Sequence, residues 1–296
     1  MSTDTLTPKS APTPPPAPQD HKQSFPAAAK ILTSGVAQPL RRGYYWLRNT
    51  LGWFDDEQTI IKDNQDWWND EEKLQGGQYI HKRGVGIFKD DAKWFDLGQE
   101  SFDIYQMFLR GMNYDASTIK SMVDWGCGGG ANAVHWAPTV ERFYALDIAK
   151  ACTDECIVQL EREGIHNGIP VLVDAGAPED ALQTITEPLD LFFCVYVVEV
   201  LPTKEYVARL LRLAHDMLRP GGLAFIQLKY ADERWATQGR RWSYANNPCH
   251  MTTFRIEEFW VMADECGLKP TLCNLLPKQP KVNDERYAYF MLQREG

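Results

Sequence analysis

The feature that most restricts the fold of this chain is a glycine cluster at residues 121–133, which read SMVDWGCGGGANA. A short apolar run reaches an acid at Asp124, and four glycines follow between positions 126 and 130, before residues that favour a helix. Glycine tolerates positive φ and lets a ligand approach the backbone closely, so a strand that ends in such a turn is typical of nucleotide sites in α/β sheets. We therefore predict a nucleotide-binding turn at this position.

From residue 121 onward, strand-like and helix-like segments alternate, which favours a parallel sheet covered by helices on both faces. The last two strands are too close in sequence for a crossover helix, so we expect a hairpin-like edge. We also expect Pro220-Gly221-Gly222 to turn one helix into the next strand, and Thr252 or Thr253 to cap the last helix. The predicted strands are residues 122–125, 143–146, 171–173, 189–195, 223–228, 271–276 and 287–292, and the predicted helices include 102–109, 152–163, 206–218 and 256–266.

Composition limits the classes of function. The net charge of −9 argues against a general nucleic-acid binder, which usually carries a basic face. The seven cysteines show no metal-ligand spacing, so we expect reduced thiols and no metal site. The sequence has neither an apolar signal-peptide core nor a run long enough to span a bilayer, and we predict a cytoplasmic protein without a transmembrane segment.

The chain is predicted to have three regions. Residues 1–26 are rich in proline and are expected to be disordered. Residues 27–115 hold half of the tryptophans and are expected to form a helical cap or substrate lid. Residues 116–296 are expected to form the nucleotide-binding domain.

Three acids bear on the identity of the nucleotide. Residues 126–131 fit the GxGxx(G/A) dinucleotide fingerprint, and Asp147, at the end of the next strand, can accept both hydroxyls of a ribose. Asp124, however, lies two residues before the first glycine, where it would repel the pyrophosphate of NAD and would suit a ligand that carries an ammonium group. Asp174 follows the third strand, where it can accept from an adenine amino group. The acids favour an adenosine ligand with an ammonium group over a dinucleotide.

Five segments, in order, resemble the class I S-adenosylmethionine (SAM) dependent methyltransferases: VDWGCGGGANA, YALDIA, VLVDAGA, DLFFCVYVVEVLP and LRPGGLAFIQLKY. The resemblance covers residues 121–296. It implies a Rossmann-like α/β fold with a seven-stranded, mostly parallel sheet, in the order 3-2-1-4-5-7-6, whose last strand is antiparallel. It also implies SAM as the cofactor and S-adenosylhomocysteine (SAH) as the product.

The same resemblance assigns cofactor-binding residues. Asp124 supports the glycine loop and the methionine end of SAM, Gly126 and Gly128 pass beneath the methionine, and Asp147 holds the ribose. Asp174 and Ala175 lie near the adenine. The full set that it implies is Asp124, Gly126, Cys127, Gly128, Asn132, Asp147, Ile148, Asp174, Ala175 and Val195.

The resemblance implies that the acceptor pocket is lined by the end of the fourth strand, the long loop after the fifth strand and the N-terminal segment. Val200 follows Glu199 where many relatives that act on small molecules have a histidine, which removes the obvious base. The candidate catalytic residues are Tyr196, Glu199 and His250, with His250 as a base that titrates near neutral pH. Cations of the loop can bind a phosphate or carboxylate, and its aromatic rings can stack on a ring or sugar. The candidate acceptor-binding residues are Lys229, Tyr230, Arg240, Arg241, Trp242 and Tyr244.

These observations predict a SAM-dependent methyltransferase that acts at oxygen on a polar small-molecule or glycan-type acceptor, with no nucleic-acid partner. Three alternatives stay open, and one of them is a macromolecular acceptor, which the acidic net charge disfavours. The same glycine turn would serve an NAD(P)-binding oxidoreductase, and a non-catalytic protein of the SAM fold could bind a partner through its Trp-rich N-terminal region.

Overall fold

The computed structural model describes residues 38–70, 72–73, 81–242, 244–246 and 248–296. The chain divides into two units, residues 1–47 and 48–296. The described residues of the first unit, 38–47, all belong to helix α1 (Gln38–Leu51). The predicted disordered tail at 1–26 lies outside the described residues, and the sheet and the candidate site belong to the second unit.

Strands and helices alternate along residues 121–296, as predicted. The helices after α1 are α2 (Glu57–Trp68), α3 (Asp91–Gly111), α4 (Ala133–Trp136), α5 (Lys150–Arg162), α6 (Lys204–Met217) and α7 (Ile256–Glu265). The strands are β1 (Ser121–Trp125), β2 (Arg142–Asp147), β3 (Gly168–Leu172), β4 (Leu189–Cys194), β5 (Leu218–Lys229), β6 (Leu268–Gln279) and β7 (Asp284–Arg294). Helices α2 and α3 fall in the predicted cap region 27–115, and their action as a substrate lid stays a prediction.

The strands form one sheet in the order β3-β2-β1-β4-β5-β7-β6. Strands β1 to β5 pair in parallel, and β7 runs antiparallel to both β5 and β6. The predicted fold class and strand order are confirmed. Because β1 lies between β2 and β4, where the winding of the chain reverses, the carboxyl end of β1 borders the crevice in which such sheets bind ligands.

Each face of the sheet carries its own apolar core. Ala224, Ile226 and Leu228 of β5 pack in the core that α6 and α7 complete, whereas Leu223 and Phe225 pack in the core with α3, α4 and α5. This division follows from the two-residue repeat of a strand, which sends successive side chains to opposite faces. The central strands are therefore buried on both faces, whereas β3 and β6 at the edges are partly exposed.

Two local expectations are wrong. Strand β5 begins at Leu218, which pairs with Leu189 before a shift in register, so 220–222 form the irregular start of a strand instead of a turn. The N-cap of α7 is Arg255, and the hydroxyl of Thr252 donates instead to the carbonyl of Leu201 at 2.7 Å. In both places a long-range contact overrides the local signal.

In the part of the chain that the structure describes, no helix has the length and apolar content needed to cross a membrane.

Candidate functional site

A cleft lies at the carboxyl ends of β1, β2 and β4. The glycine turn forms one side of it, and the loops after β2, β3 and β4, together with residues of helices α2, α5 and α6, form the rest. Its lining comprises Asn64, Trp68, Trp125, Gly126, Gly128, Leu146, Asp147, Ile148, Cys152, Val173, Ala175, Pro178, Tyr196, Val197, Val200, Leu201, Pro202 and Tyr206.

The glycine turn is held against the end of β2 by its own backbone. The N–H groups of Gly126 and Cys127 both donate to the carbonyl of Leu146, at 2.8 and 2.9 Å. Gly126 has φ +83°, and a Cβ built on it would lie 2.4 Å from Cγ2 of Val197. The position therefore requires glycine for its conformation and for the close approach of the loop after β4.

Asp147 is fixed across the turn. Its Oδ2 accepts from the N–H of Gly128 and its Oδ1 from the N–H of Ala149, both at 3.0 Å. Burial raises the pKa of Asp147 to about 6, against the opposing effect of these two backbone donors. The carboxylate lines the cleft and can accept further hydrogen bonds from a ligand that carries hydroxyl groups.

The carboxyl group of Asp124 is buried without hydrogen bonds from the described residues. Its side chain is 1 % exposed, and neither carboxylate oxygen has a hydrogen-bond partner among the residues that the structure describes. Burial, with a smaller contribution from the nearby Asp147, raises its pKa well above the usual range. A buried acid in this state is costly unless a cation or donor reaches it. Asp124 lies two residues before the first glycine of the turn but is not among the residues that line the cleft, so its predicted contact with a cofactor stays a prediction.

Three other predicted cofactor residues face away from the cleft. Cys127 lies beside Cys156 of α5, Asn132 accepts from the hydroxyl of Ser101 on α3 at 2.7 Å, and Val195 packs in the core on the α3 side of the sheet. Their side chains hold the turn and the strand end in place. Their predicted contact with the cofactor is thus left to backbone atoms.

The predicted adenine end is divided between two surfaces. Ile148 and Ala175 line the cleft, whereas Asp174 is exposed in a shallow outer groove that it shares with Gln65 and Asn69. Oδ1 of Asp174 accepts from the N–H of Gly176 at 2.7 Å, so this acid caps its own turn.

Helix α2 covers part of the cleft, and the sequence did not single out its contributing residues. Asn64 and Trp68 line the cleft, and the Asn64 side chain donates to the carbonyl of Val200 at 2.9 Å. The indole of Trp68 donates to the hydroxyl of Tyr244 at 2.9 Å. The run of aromatic residues at 67–68 was the only sequence signal near this helix, and it carried no information about the partner across the cleft.

Tyr196 lines the cleft just beyond β4 and adopts a strained conformation. Its φ is +63°, which a non-glycine residue rarely adopts and which is often found at functional sites. The conformation is held by the Tyr196 N–H, which donates to Oε1 of Gln227 at 2.5 Å. The ring packs edge-on against His81 and Tyr287, so the structure places it as a fixed wall.

Glu199 lies in a short helical turn between Val197 and Val200, which both line the cleft. The side chain is 3 % exposed, and Oε2 has no partner within the described ranges. Burial raises the pKa of Glu199 to about 7, and the positive charge of Lys229 opposes this rise. A carboxylate with such a pKa is matched to proton transfer near neutral pH.

His250, the predicted base, has an environment that disfavours its protonated form. Burial lowers its pKa to about 3, and the charges of Lys229 and Arg240 lower it further in the same direction. A histidine with this pKa is neutral at physiological pH but a weak acceptor of a proton. Burial thus raises the pKa of Glu199 and lowers that of His250, and the catalytic role of each residue stays a prediction.

Lys229 and Tyr230, predicted to bind the acceptor, have partners within the fold. Lys229 is fully buried, and its Nζ lies 2.5 Å from Oδ2 of Asp284. The N–H and the carbonyl of Tyr230 both bond to Arg286, at 2.8 and 2.9 Å. The charge of Lys229 is therefore already neutralised inside the protein.

The aromatic residues of the long loop are interior rather than presented to a ligand. Trp242 is 2 % exposed and stacks on Phe54, and Tyr244 is 1 % exposed and donates to the carbonyl of Val200 at 3.0 Å. Their burial corrects the expectation that these rings are open for stacking. They instead hold residues 54–68 against the loop after β4.

Arg240 and Arg241 lie beside a different surface. Arg241 stacks over the ring of Phe54 and lies 3.8 Å from Glu205, in a second cleft that Thr252 and Thr253 also line. The N–H of Arg240 donates to the carbonyl of His250 at 2.7 Å. The second cleft, where the predicted anion site lies, shares no lining residue with the cleft at the glycine turn. Its role in binding the acceptor stays a prediction.

Comparison with known sequences identifies the domain. A family model described as a methyltransferase domain matches residues 103–272, which is more than half of the chain. None of the curated proteins matches the sequence at a significant level.

Comparison with solved structures finds the same fold at low sequence identity. Magnesium protoporphyrin IX methyltransferase from Synechocystis PCC 6803 with bound SAH is 13% identical, with 81% of this chain and 100% of that chain covered and a TM-score of 0.56. The same enzyme with bound SAM is 14% identical, with 81% and 98% covered and a TM-score of 0.53. The N-methyltransferase NodS from Bradyrhizobium japonicum WM9 with bound SAH is 14% identical, with 67% of this chain and 87% of that chain covered and a TM-score of 0.48.

Proposed function

This chain belongs to the methyltransferase-domain family, and from that premise we propose that it binds SAM and transfers the methyl group to an oxygen of a polar small-molecule or glycan-type acceptor. When bound, SAM supplies a methyl group on a sulfonium sulfur that is already a good leaving group. The remaining task of the protein is to position the two substrates and to remove a proton from the acceptor.

The observation that carries the proposal is the different state of the two buried acids beside the glycine turn. Asp124 has no partner for either oxygen among the described residues, which fits the ammonium group of the methionine end of SAM. Asp147 is held by two backbone donors and faces the cleft, which fits the ribose hydroxyls. A dinucleotide would instead bring its pyrophosphate beside the buried Asp124, where like charges repel.

Glu199 is the base that we assign to the acceptor hydroxyl. Its neighbours Val197 and Val200 line the cleft, and its pKa of about 7 leaves a substantial ionised fraction at neutral pH. The acceptor hydroxyl loses its proton to the Glu199 carboxylate as its oxygen takes the methyl group. Tyr196, fixed by Gln227 and by the packing of its ring, forms the wall against which the acceptor is placed.

Isothermal titration with SAH tests the cofactor assignment. At pH 8, where Asp147 is ionised, the wild-type protein should bind SAH, and Asp147→Ala should weaken binding by about tenfold or more, because two ribose hydrogen bonds to a charged acceptor are lost. Asp154→Ala, which removes an exposed acid of α5, is the matched control and should leave binding unchanged. Wild-type protein that ignores SAH and binds NAD(P) would instead support the oxidoreductase.

A labelled-methyl screen tests the acceptor class. Protein loaded with methyl-labelled SAM should transfer label to a fraction of polar small molecules or glycans. Label that appears only in protein or nucleic acid overturns this acceptor class. SAH binding without transfer to any fraction supports the non-catalytic alternative.

A further inference from the structure

Helix α2 is tied along its length to the loops that surround the cleft. At its start, the hydroxyl of Thr203 donates to Oε1 of Glu57 at 2.5 Å, and at its middle Asn64 bonds to Val200. At its end, the Asn69 side chain donates to the carbonyl of Ile148 at 3.3 Å. The helix therefore bridges the loops after β2 and β4, and residues of its inner side line the cleft.

Gln65 makes the most specific of these ties. Its Oε1 accepts from the N–H of Ala175 at 2.7 Å, and its Nε2 donates to the carbonyl of Ile148 at 2.8 Å. One side-chain amide thus bonds the loops that follow β2 and β3, where the adenine end of the proposed site lies. Both bonded backbone groups belong to residues that line the cleft.

The Gln65 amide and an adenine ring each present one hydrogen-bond acceptor next to one donor. The amide has an acceptor oxygen beside a donor NH₂, and adenine has an acceptor ring nitrogen beside its amino group. A backbone N–H that donates to one cannot at the same time donate fully to the other. Ala175 N–H is the donor that an adenine ring in this part of the cleft would need.

We propose that the Gln65 side chain competes with the adenine of SAM for the Ala175 N–H and the Ile148 carbonyl, so that Gln65 sets the affinity for the cofactor. This inference rests on the proposed function, because it takes SAM as the ligand. Binding requires the Gln65 amide to give up its hydrogen bonds to these two backbone groups. Gln65 itself lines the outer groove, so its side chain can turn toward that groove when the adenine enters the cleft.

The test compares Gln65→Ala with Gln58→Ala by titration with two probes. Gln58 is an exposed glutamine on the same helix, so its substitution controls for the change in helix propensity. The probes are SAH and 5′-methylthioadenosine, which keeps the adenine and ribose but lacks the amino-acid end. Gln65→Ala should bind both probes about fivefold more tightly, because two competing hydrogen bonds are gone, and Gln58→Ala should match the wild type.

The outcomes separate this inference from the proposed function. If the wild type binds SAH and Gln65→Ala binds it equally or more weakly, the competition is refuted while the cofactor assignment stands. If the wild type binds neither probe, the cofactor assignment fails and the inference fails with it.

A second measurement uses the wild-type protein, so it tests the withdrawal of Gln65 even if the Gln65→Ala variant folds poorly. The side-chain amide protons of Gln65, followed by NMR, should exchange with solvent about tenfold faster when 5′-methylthioadenosine is bound, because the amide has left its two partners. Unchanged or slower exchange in the bound form would refute the withdrawal of Gln65.

Discussion

Two aspartates at the carboxyl ends of neighbouring strands show how partners decide the role of a residue. Asp124 and Asp147 are both nearly inaccessible, at 1 % and 9 % exposed. Asp147 receives two backbone N–H groups, while the oxygens of Asp124 receive none from the described residues. Burial raises the pKa of both, but only Asp147 has donors that oppose the rise. Asp147 is therefore held in place by the backbone, whereas no described residue bonds the Asp124 carboxyl group.

Asp124→Asn should stabilise the protein and weaken its binding of SAH. At pH 7 the free energy of unfolding should rise by about 1–3 kcal/mol, because a buried carboxylate without a partner becomes a neutral amide. Burial raises the pKa of Asp124 in the folded state. The loss of stability that ionised Asp124 causes in the wild type is therefore absent below the unfolded-state pKa and grows as the pH rises through the folded-state pKa. Urea unfolding of the wild type and Asp124→Asn measures the difference in the free energy of unfolding between them. This difference should be larger at pH 7 than at pH 4, and an equal difference at both pH values would contradict this account.

Glu199→Gln should lower kcat by about 100-fold and leave SAH affinity unchanged, because it removes the base and keeps the shape of the side chain. The wild-type kcat should rise with pH to a plateau above about pH 7, because the base acts in its deprotonated form and burial raises its pKa to about 7. The variant should lack that rise. Glu161→Gln, at an exposed position of α5, serves as the control. A pH profile that persists in Glu199→Gln and disappears in His250→Asn would assign the base to His250 instead.

At the scale of elements, the glycine turn is shaped by what lies on both of its sides. Its backbone is bonded to β2 through Leu146, and Val197 of the loop after β4 approaches Gly126 closely. The turn is therefore a junction between three strand ends, and it stays narrow because residue 126 has no side chain.

Gly126→Ala should cost more stability than Gly164→Ala. Both glycines have positive φ, at +83° and +73°, so alanine is strained by about 1–2 kcal/mol at each. A Cβ at Gly126 meets Val197, whereas a Cβ at Gly164 has open space, so the first variant should lose a further ~1–3 kcal/mol from overpacking. Thermal unfolding measures the difference, and SAH titration should show lost affinity for Gly126→Ala alone. Equal losses of stability in the two variants would mean that the glycine turn accommodates a Cβ at residue 126 without an energetic penalty from Val197.

The loop after β5 has a structural role that its composition did not indicate. Its aromatic and cationic residues are typical of ligand recognition, yet Tyr244 bonds to Trp68 and Trp242 stacks on Phe54. The N–H groups of Met251 and Thr252 also donate to the carbonyl of Glu199, at 3.0 and 3.3 Å. The loop thus fixes α2 and the turn that carries Glu199, whereas acceptor binding by its arginines stays a prediction.

For the whole molecule, the position of β7 between β5 and β6 makes the fold depend on its last residues. Met291 pairs with Phe225 of β5 on one side and with Leu272 of β6 on the other. Residues of β7 contribute to both apolar cores, with Phe290 on one face and Tyr289 on the other. Strands β2, β1, β4, β5 and β7 are bonded on both edges, whereas β3 and β6 each have one neighbour among the described strands.

Hydrogen exchange followed by mass spectrometry should reflect this arrangement. Peptides from β1, β4 and β5 should exchange only through global unfolding, because both edges of these strands are paired and their side chains are buried. Peptides from β3 and from the outer edge of β6 should exchange faster, because an edge strand opens without disrupting the rest of the sheet. Protection of β3 equal to that of β4 would contradict this ranking.

The sequence alone was sufficient for the order of elements and for the proximity of the two acids at the glycine turn. Asp124 and Asp147 lie at the ends of two consecutive strands, so the parallel pairing of β1 with β2 brings them close together. The succession of strands and helices follows from apolar periodicity, and the strand order followed from the resemblance to a known family. These features depend on short-range patterns, which a sequence displays directly.

Only the tertiary structure decided which residues cover the cleft and how the pKa values of the two candidate bases shift. Gln65 and Ala175 are 110 positions apart, and Trp68 and Tyr244 are 176 apart, so no local pattern links them. Glu199 and His250 differ as bases because burial raises the pKa of a carboxyl group and lowers that of an imidazole, and burial is a property of the packed chain. The glycine turn is thus specified by local sequence, while its cover and its chemistry arise from contacts between distant segments.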